Sequence, residues 1–267
     1  MLPVLVSSLL FYSQYAAHIG LAASKSARGR LTNPELVKGS QALRRSLERS
    51  GVRFDISGSE SIDREGGPYV FVANHMSPLE TQILPAVLRA AAPCTFVVKA
   101  GLLEYPVFGS VLRSFDPVVV SRTDPRADLR RVIEQGSARL RDGISVIVFP
   151  QAHRTQGFDR QAFNSMGMRL ARAAGVPLVP IALDTAAWSP GKLIKDLGWI
   201  QPARPVRFAI GEAIPVGDDG SAAHRRVVSF IESRLDAWAL AEPPPGAASR
   251  AAAAAPEEPA ISVQDGR

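Results

Sequence analysis

Cysteine is nearly absent from this chain. Its 267 residues include one, Cys94, which excludes an intramolecular disulfide and any cluster of thiolates around a metal, and fits a reducing compartment. The flanks of Cys94, "AP" before it and "TFVV" after, read as a buried strand, so the thiol is expected to pack rather than react. Also missing are the Gly-x-Ser-x-Gly elbow, the Walker phosphate loop, the Gly-x-Gly-x-x-Gly dinucleotide loop and the Cys/His spacings of zinc sites. No metal or bound cofactor is expected. Aromatic residues make up 7%, and no basic face interleaved with them is visible, so nucleic acid is not an expected partner. There is no internal repeat. The first 24 residues contain no Asp, Glu, Lys or Arg.

What is present is ordinary for a globular protein: 46% apolar and 21% charged residues, enough chain for one α/β domain with appendages. A formal net charge of +6 favours an acidic partner, whether an anionic membrane, a phosphorylated substrate or an acidic carrier. The uncharged N-terminal run, followed by Lys25, Arg28 and Arg30, faces a membrane in pattern. A secretory signal would carry its positive charge before the apolar stretch. The run approaches the roughly 20 residues that cross a hydrocarbon core, but Ser7, Ser8, Ser13, Gln14 and His18 dilute it, so a helix in the interface, a full span and a helix packed on the domain all remain open. In the first two cases the trailing basic residues place the domain on the cytoplasmic face of the inner membrane.

Residues 1–50 are read as a helical, membrane-associating segment, whose second helix covers Pro34 to Arg49 with Asn33 as N-cap and Gly51 past its end. Residues 51–241 then alternate short apolar runs with helical stretches. The runs at 69–73, 95–99, 117–121, 145–149, 176–183 and 206–210 read as strands covered on both faces. Asp124-Pro125 opens a helix that Gly143 closes, another runs from about Arg160 to Ala174, and a last one from Ser221 to Leu240. The fold class is therefore α/β, a mostly parallel central sheet flanked by helices, with function in the loops that leave the strands. Residues 242–267, rich in Pro and Ala, read as a disordered tail.

The informative stretch is "VANHMSPLET", 72–81. Ser77-Pro78-Leu79-Glu80 is a capping box with proline at the first helical position. Glu80 at the third helical position faces back toward the residues entering the helix, where His75 stands. Such a pair makes a general base: Glu80 fixes the tautomer of His75, and His75 takes a proton from an attacking hydroxyl. The alternative is a cap and nothing more. A base with no protein nucleophile suggests that the substrate supplies the nucleophile.

Asn74-His75-x4-Glu80 at the end of a strand resembles the His-x4-Asp motif of the glycerolipid acyltransferase superfamily, the lysophosphatidic acid acyltransferases in particular. "VVKAGLLEYPVFG" (97–109), with Lys99, resembles the segment before the second motif. "DPVVVSR" (116–122) resembles that motif and places Arg122 on its Arg. "FPQAHRT" (149–155) resembles the Phe-Pro-Glu-Gly-Thr-Arg-Ser block and places Arg154 on its Arg. "VPLVPIAL" (176–183), with Pro180, resembles the fourth.

The resemblance covers roughly residues 55–215 and implies transfer of an acyl group from acyl-CoA or acyl carrier protein to a free lysolipid hydroxyl, without metal or acyl-enzyme. His75 and Glu80 would be catalytic; Arg122, Gln151, His153 and Arg154 would bind substrate; Asn74, Ser77, Lys99 and Pro180 would support them. Backbone N–H groups at the start of the helix after Ser77 are candidates for the oxyanion donor. Departures from the pattern are Glu80 for Asp, and Gln151, Ala152 and His153 for Glu, Gly and Thr, while "FNSMG" (163–167) lacks a basic residue often found in relatives. These leave open another lysolipid or lyso-aminolipid acceptor, or a non-catalytic lipid-binding relative.

Overall fold

The computed structural model describes residues 2–241 other than 64–65, 89–92, 152, 156 and 192–195. The expected tail at 242–267 and the substitution at Ala152 lie outside the described residues. Two helices come first, α1 (Val4–Ala27) and α2 (Asn33–Arg49). Then follow β1 (Phe54–Ser57), β2 (Val70–Ala73), α3 (Leu79–Val87), β3 (Cys94–Lys99), α4 (Phe108–Arg113), β4 (Val118–Val120), α5 (Pro125–Arg141), β5 (Ser145–Val148), α6 (Met166–Ala174), β6 (Leu178–Asp184), β7 (Val206–Ile210) and α7 (Ser221–Ala241). Residues up to Leu235 gather into one compact unit.

The described strands form one sheet in the order β1-β7-β6-β2-β5-β3-β4. Its neighbours run parallel except for β6 and β7, which are antiparallel. The expected α/β architecture is therefore present. β2 and β5 are buried at every position, as strands covered on both faces must be. Cys94 lies buried in β3, where desolvation pushes its thiol up to about 12, so it packs as expected.

Some local expectations are corrected. Thr32, not Asn33, precedes α2, and Asn33 is already helical; Gly51 does close the chain at φ +90°. α6 begins at Met166 rather than Arg160, because side chains before it bind the backbone into turns. Asp159 accepts from the N–H groups of Gln161 and Ala162, while Asn164 donates to the Pro150 carbonyl and accepts from the Met166 N–H. β1 is an additional strand at the sheet edge, alternating half-buried with exposed, and α4 is an additional short helix.

The first helix has two different sides. Phe11 is fully buried in the core and packs edge-on against Trp188 with ring centroids 4.9 Å apart. Ser8 accepts the Ile200 N–H at 3.0 Å, and the Tyr12 hydroxyl donates to the Gly198 carbonyl. Leu5 and Leu9, by contrast, are 57% and 64% exposed. α1 is long and apolar enough to cross a membrane, yet one side of it is part of the domain.

Candidate active site

Parallel strands deliver their C-terminal ends to one edge of a sheet, and that edge gathers the motif residues. β2, between β5 and β6, leads into Asn74-His75; β5 leads into Phe149 through Arg154; β4 leads into Ser121-Arg122; Lys99 ends β3. Val72 pairs with Val148, so the His75 turn and the Gln151 loop leave the sheet at the same level. Asn74 ties that turn to β6, donating to the Leu183 carbonyl at 2.8 Å and accepting its N–H at 2.9 Å. Pro180 sits within β6 opposite Val72, in the sheet rather than at the cavity.

The carboxylate of Glu80 answers the choice between cap and dyad, because it does both. His75 Nδ1 lies 2.9 Å from Oε1. The same carboxylate accepts the Met76 N–H at 2.6 Å, the Ser77 N–H at 2.8 Å and the Ser77 hydroxyl at 2.9 Å. Ser77 Oγ in turn accepts the Leu79 N–H at 3.1 Å, two residues on rather than the three of the expected capping box, and Pro78 precedes α3 instead of opening it, so only the Glu80 half of the box is formed. A fifth donor comes from outside the motif: the buried Thr185 hydroxyl, just past β6, at 2.8 Å from Oε2. Burial pushes the Glu80 carboxyl up, but the His75 ring and the N–H groups of Ser77 and Met76 outweigh it and hold the group below its ordinary 4.5. With His75 Nδ1–H donating to the Glu80 carboxylate, the Nε2 lone pair of His75 is left for the substrate. Of the N–H groups expected as oxyanion donors at the start of α3, that of Leu79 is turned onto the Ser77 hydroxyl.

The loop after β5 holds the backbone of His75. Gln151, 2% exposed, accepts the His75 N–H at 3.0 Å and donates to the Thr155 hydroxyl at 2.9 Å, while the Thr155 N–H donates to the His75 carbonyl at 2.9 Å. The Gln151 amide, expected at the substrate, thus holds the His75 backbone in place. Phe149 stacks on the imidazole, centroids 4.5 Å apart. His153 is exposed.

His75, Lys99, Arg122, Phe149 and Arg154 line one cavity of about 270 Å³, together with Tyr15, Ile19 and Phe96. A smaller space of about 90 Å³ shares those last three residues and continues between α1 and α2. Arg154 pairs with Asp196, a carboxylate that sequence reading did not single out because it lies 42 positions away. Arg122 is one of the few non-glycine residues with positive φ, +62°. Such a conformation costs about 1–2 kcal/mol, and Asp128 offsets it, its buried carboxylate accepting the N–H of Ser121 at 2.8 Å and of Arg122 at 2.6 Å. Burial lowers the Arg122 pKa, Asp128 opposes this and the like charge of Arg154 adds to it. Three basic side chains, Lys99, Arg122 and Arg154, thus share one cavity. Among the described residues no cluster of metal-binding side chains occurs.

Residues 53–184 match the family described as Acyltransferase. The 1-acyl-sn-glycerol-3-phosphate acyltransferase of Pseudomonas aeruginosa is 29% identical over 189 residues, 71% of this chain and 68% of that one. The lyso-ornithine lipid O-acyltransferase of the same organism is 29% identical over 186 residues, 68% and 69% of the two chains. In architecture, the crystal structure of the 1-acyl-sn-glycerophosphate acyltransferase of Thermotoga maritima superposes with a TM-score of 0.66 at 22% identity, covering 89% of this chain and 96% of that one. On the family match and these relatives the chain is an acyltransferase, similar to the glycerolipid acyltransferases.

Proposed function

We propose that this protein acylates the free hydroxyl of a membrane lysophospholipid, 1-acylglycerol 3-phosphate first among them, giving phosphatidic acid, with acyl-CoA or acyl carrier protein as donor. The observation that carries this reading is the His75–Glu80 pair, 2.9 Å apart, with His75 in a cavity lined also by Arg122, Arg154 and many apolar side chains. The acceptor hydroxyl gives its proton to His75 as its oxygen forms the new bond to the thioester carbonyl carbon. The carbon–sulfur bond then breaks, and the thiolate leaves with a proton returned from the imidazolium. Glu80 supports the transient positive charge. Arg122 and Arg154 offer the planar forks that match phosphate oxygens, and an acyl chain fits the apolar route toward α1 and α2. The exposed side of α1 lies in one leaflet, with the basic residues after it on the cytoplasmic face.

A second acceptor is favoured by one feature. Asp196 neutralises part of the Arg154 charge inside the cavity, and a carboxylate there welcomes an ammonium group, as in a lyso-aminolipid. The test is thiol release from acyl-CoA, and from acyl carrier protein, with a panel of lysolipids. Turnover with 1-acylglycerol 3-phosphate, lost by at least about a hundredfold in His75→Ala as expected for a general base, is the expected result. Turnover with a lyso-aminolipid alone moves the assignment to that acceptor. Turnover that survives in His75→Ala overturns the mechanism, and none with any pair leaves a lipid-binding relative.

A further inference from the structure

Beyond Arg122 the site continues. A second cleft, about 490 Å³, lies at the starts of α5 and α6 and shares Val97, Arg122 and Phe149 with the cavity of His75. No residue of α1 or α2 lines it. Its charge is one-sided: Arg122, Arg126 and Arg169 face a single carboxylate, Asp128, whose oxygens are turned onto the backbone of Ser121 and Arg122. Arg126 and Arg169 are both exposed; among the described residues neither is held in an ion pair, and Arg169 reaches only Ser165 Oγ, at 3.3 Å.

We propose that this cleft receives the phosphate groups of the acyl donor's phosphopantetheine arm, the diphosphate of coenzyme A or the phosphodiester of acyl carrier protein. The inference rests on the acyltransferase reading above. Its warrant is the order of groups along the site. Apolar side chains line the cavity of His75 together with Lys99, Arg122 and Arg154; Arg126 and Arg169 occur only in the adjoining cleft, which shares Arg122 with it.

An acyl thioester has the same order, with the chain on one side of the reacting carbonyl and the phosphates on the other, separated from it by the whole pantetheine arm. The acceptor does not fit the far cleft. Its phosphate is attached to the carbon next to the one bearing the reacting hydroxyl, so Arg122 and Arg154 take it beside His75. Arginine is also the side chain suited to the task, since its planar fork binds two phosphate oxygens at once.

The experiment uses the full chain in detergent, comparing wild type with an Arg126→Ala/Arg169→Ala double variant. Calorimetric titration with coenzyme A needs no turnover; kinetics with acyl-CoA and with acyl carrier protein follow. The double variant is expected to bind coenzyme A about tenfold more weakly and to raise the KM for the donor by about the same factor, as the loss of two charged contacts predicts, with the KM for the acceptor unmoved. An effect on the carrier-protein donor alone also supports the proposal and names that source. Unchanged constants for both donors overturn it, as does a shift confined to the acceptor, or a wild type that binds neither coenzyme A nor the carrier. If coenzyme A binding depends on the two arginines but no lysolipid is acylated, the cleft stands and the proposed function falls. If turnover is normal and the donor constants do not move, the reverse holds.

Discussion

Position 151 shows how one atom type can decide a site. The Thr155 hydroxyl gives its proton to the Gly157 carbonyl at 2.6 Å, so its oxygen needs a donor, and the Gln151 amide supplies one at 2.9 Å. The other end of that amide accepts the His75 N–H. A carboxylate at 151 would accept at both ends, leaving Thr155 to give up one of its bonds and placing a charge where the side chain is 2% exposed. Gln151→Glu is therefore expected to cost about 1–3 kcal/mol. It should lower the melting temperature, followed by circular dichroism, and reduce kcat together with it, because the same amide holds the catalytic backbone. A variant with unaltered melting and turnover would show that the loop repacks around the acid. Sequence made His75 and Glu80 legible because a short turn brings them together. Thr185, Asp128 and Asp196 were not legible: each acts on a residue that only the fold brings near, and nothing in its own neighbourhood marks it.

Among the elements, the central strands were the easiest to read, since β2 and β5 are apolar on both faces and leave little else for such runs to be. β1 escaped notice because an edge strand needs only one covered face, and its Asp55 and Ser57 are exposed. α1 posed a different problem. A helix apolar on nearly every side does not announce which side meets the protein, and the buried Ser7 and Ser8 are among the residues that diluted its membrane character. The structure resolves this by giving Phe11, Tyr12 and Ser8 to the domain and Leu5 and Leu9 to the outside. Leu5→Asp/Leu9→Asp, four residues apart on one face, should release the protein into the soluble fraction on flotation with anionic vesicles. Its melting temperature in detergent should stay within about 2 °C, as exposed substitutions in a domain of this size do. Persistent vesicle binding by that variant would place the membrane contact elsewhere. Phe11→Ala should behave in the opposite way, destabilising by about 3–5 kcal/mol through an unfilled space beside Trp188, measured by denaturant unfolding in detergent.

Across the whole molecule, the net charge of +6 favours anionic partners, yet the group its candidate active site encloses most fully is itself an anion. Glu80 is fully buried and ionised, surrounded by five donors, at the edge where the parallel strands end. Its pKa lies below the ordinary 4.5 in the folded state. The unfolded chain therefore takes up the proton first on acidification. The stabilisation that Glu80 contributes is complete above the unfolded value and is lost as pH falls through the folded one. Gln in its place cannot titrate. Wild type should thus lead Glu80→Gln in denaturant midpoint by a margin that is constant near pH 7 and shrinks steadily from about pH 5 downward. A margin that instead widens as pH falls through the unfolded value would mean that the carboxyl enters the folded state already protonated. In that case it could not stabilise an imidazolium, and the dyad would lose its acid partner while keeping the cap, so this one titration weighs the structural role of Glu80 against its chemical one.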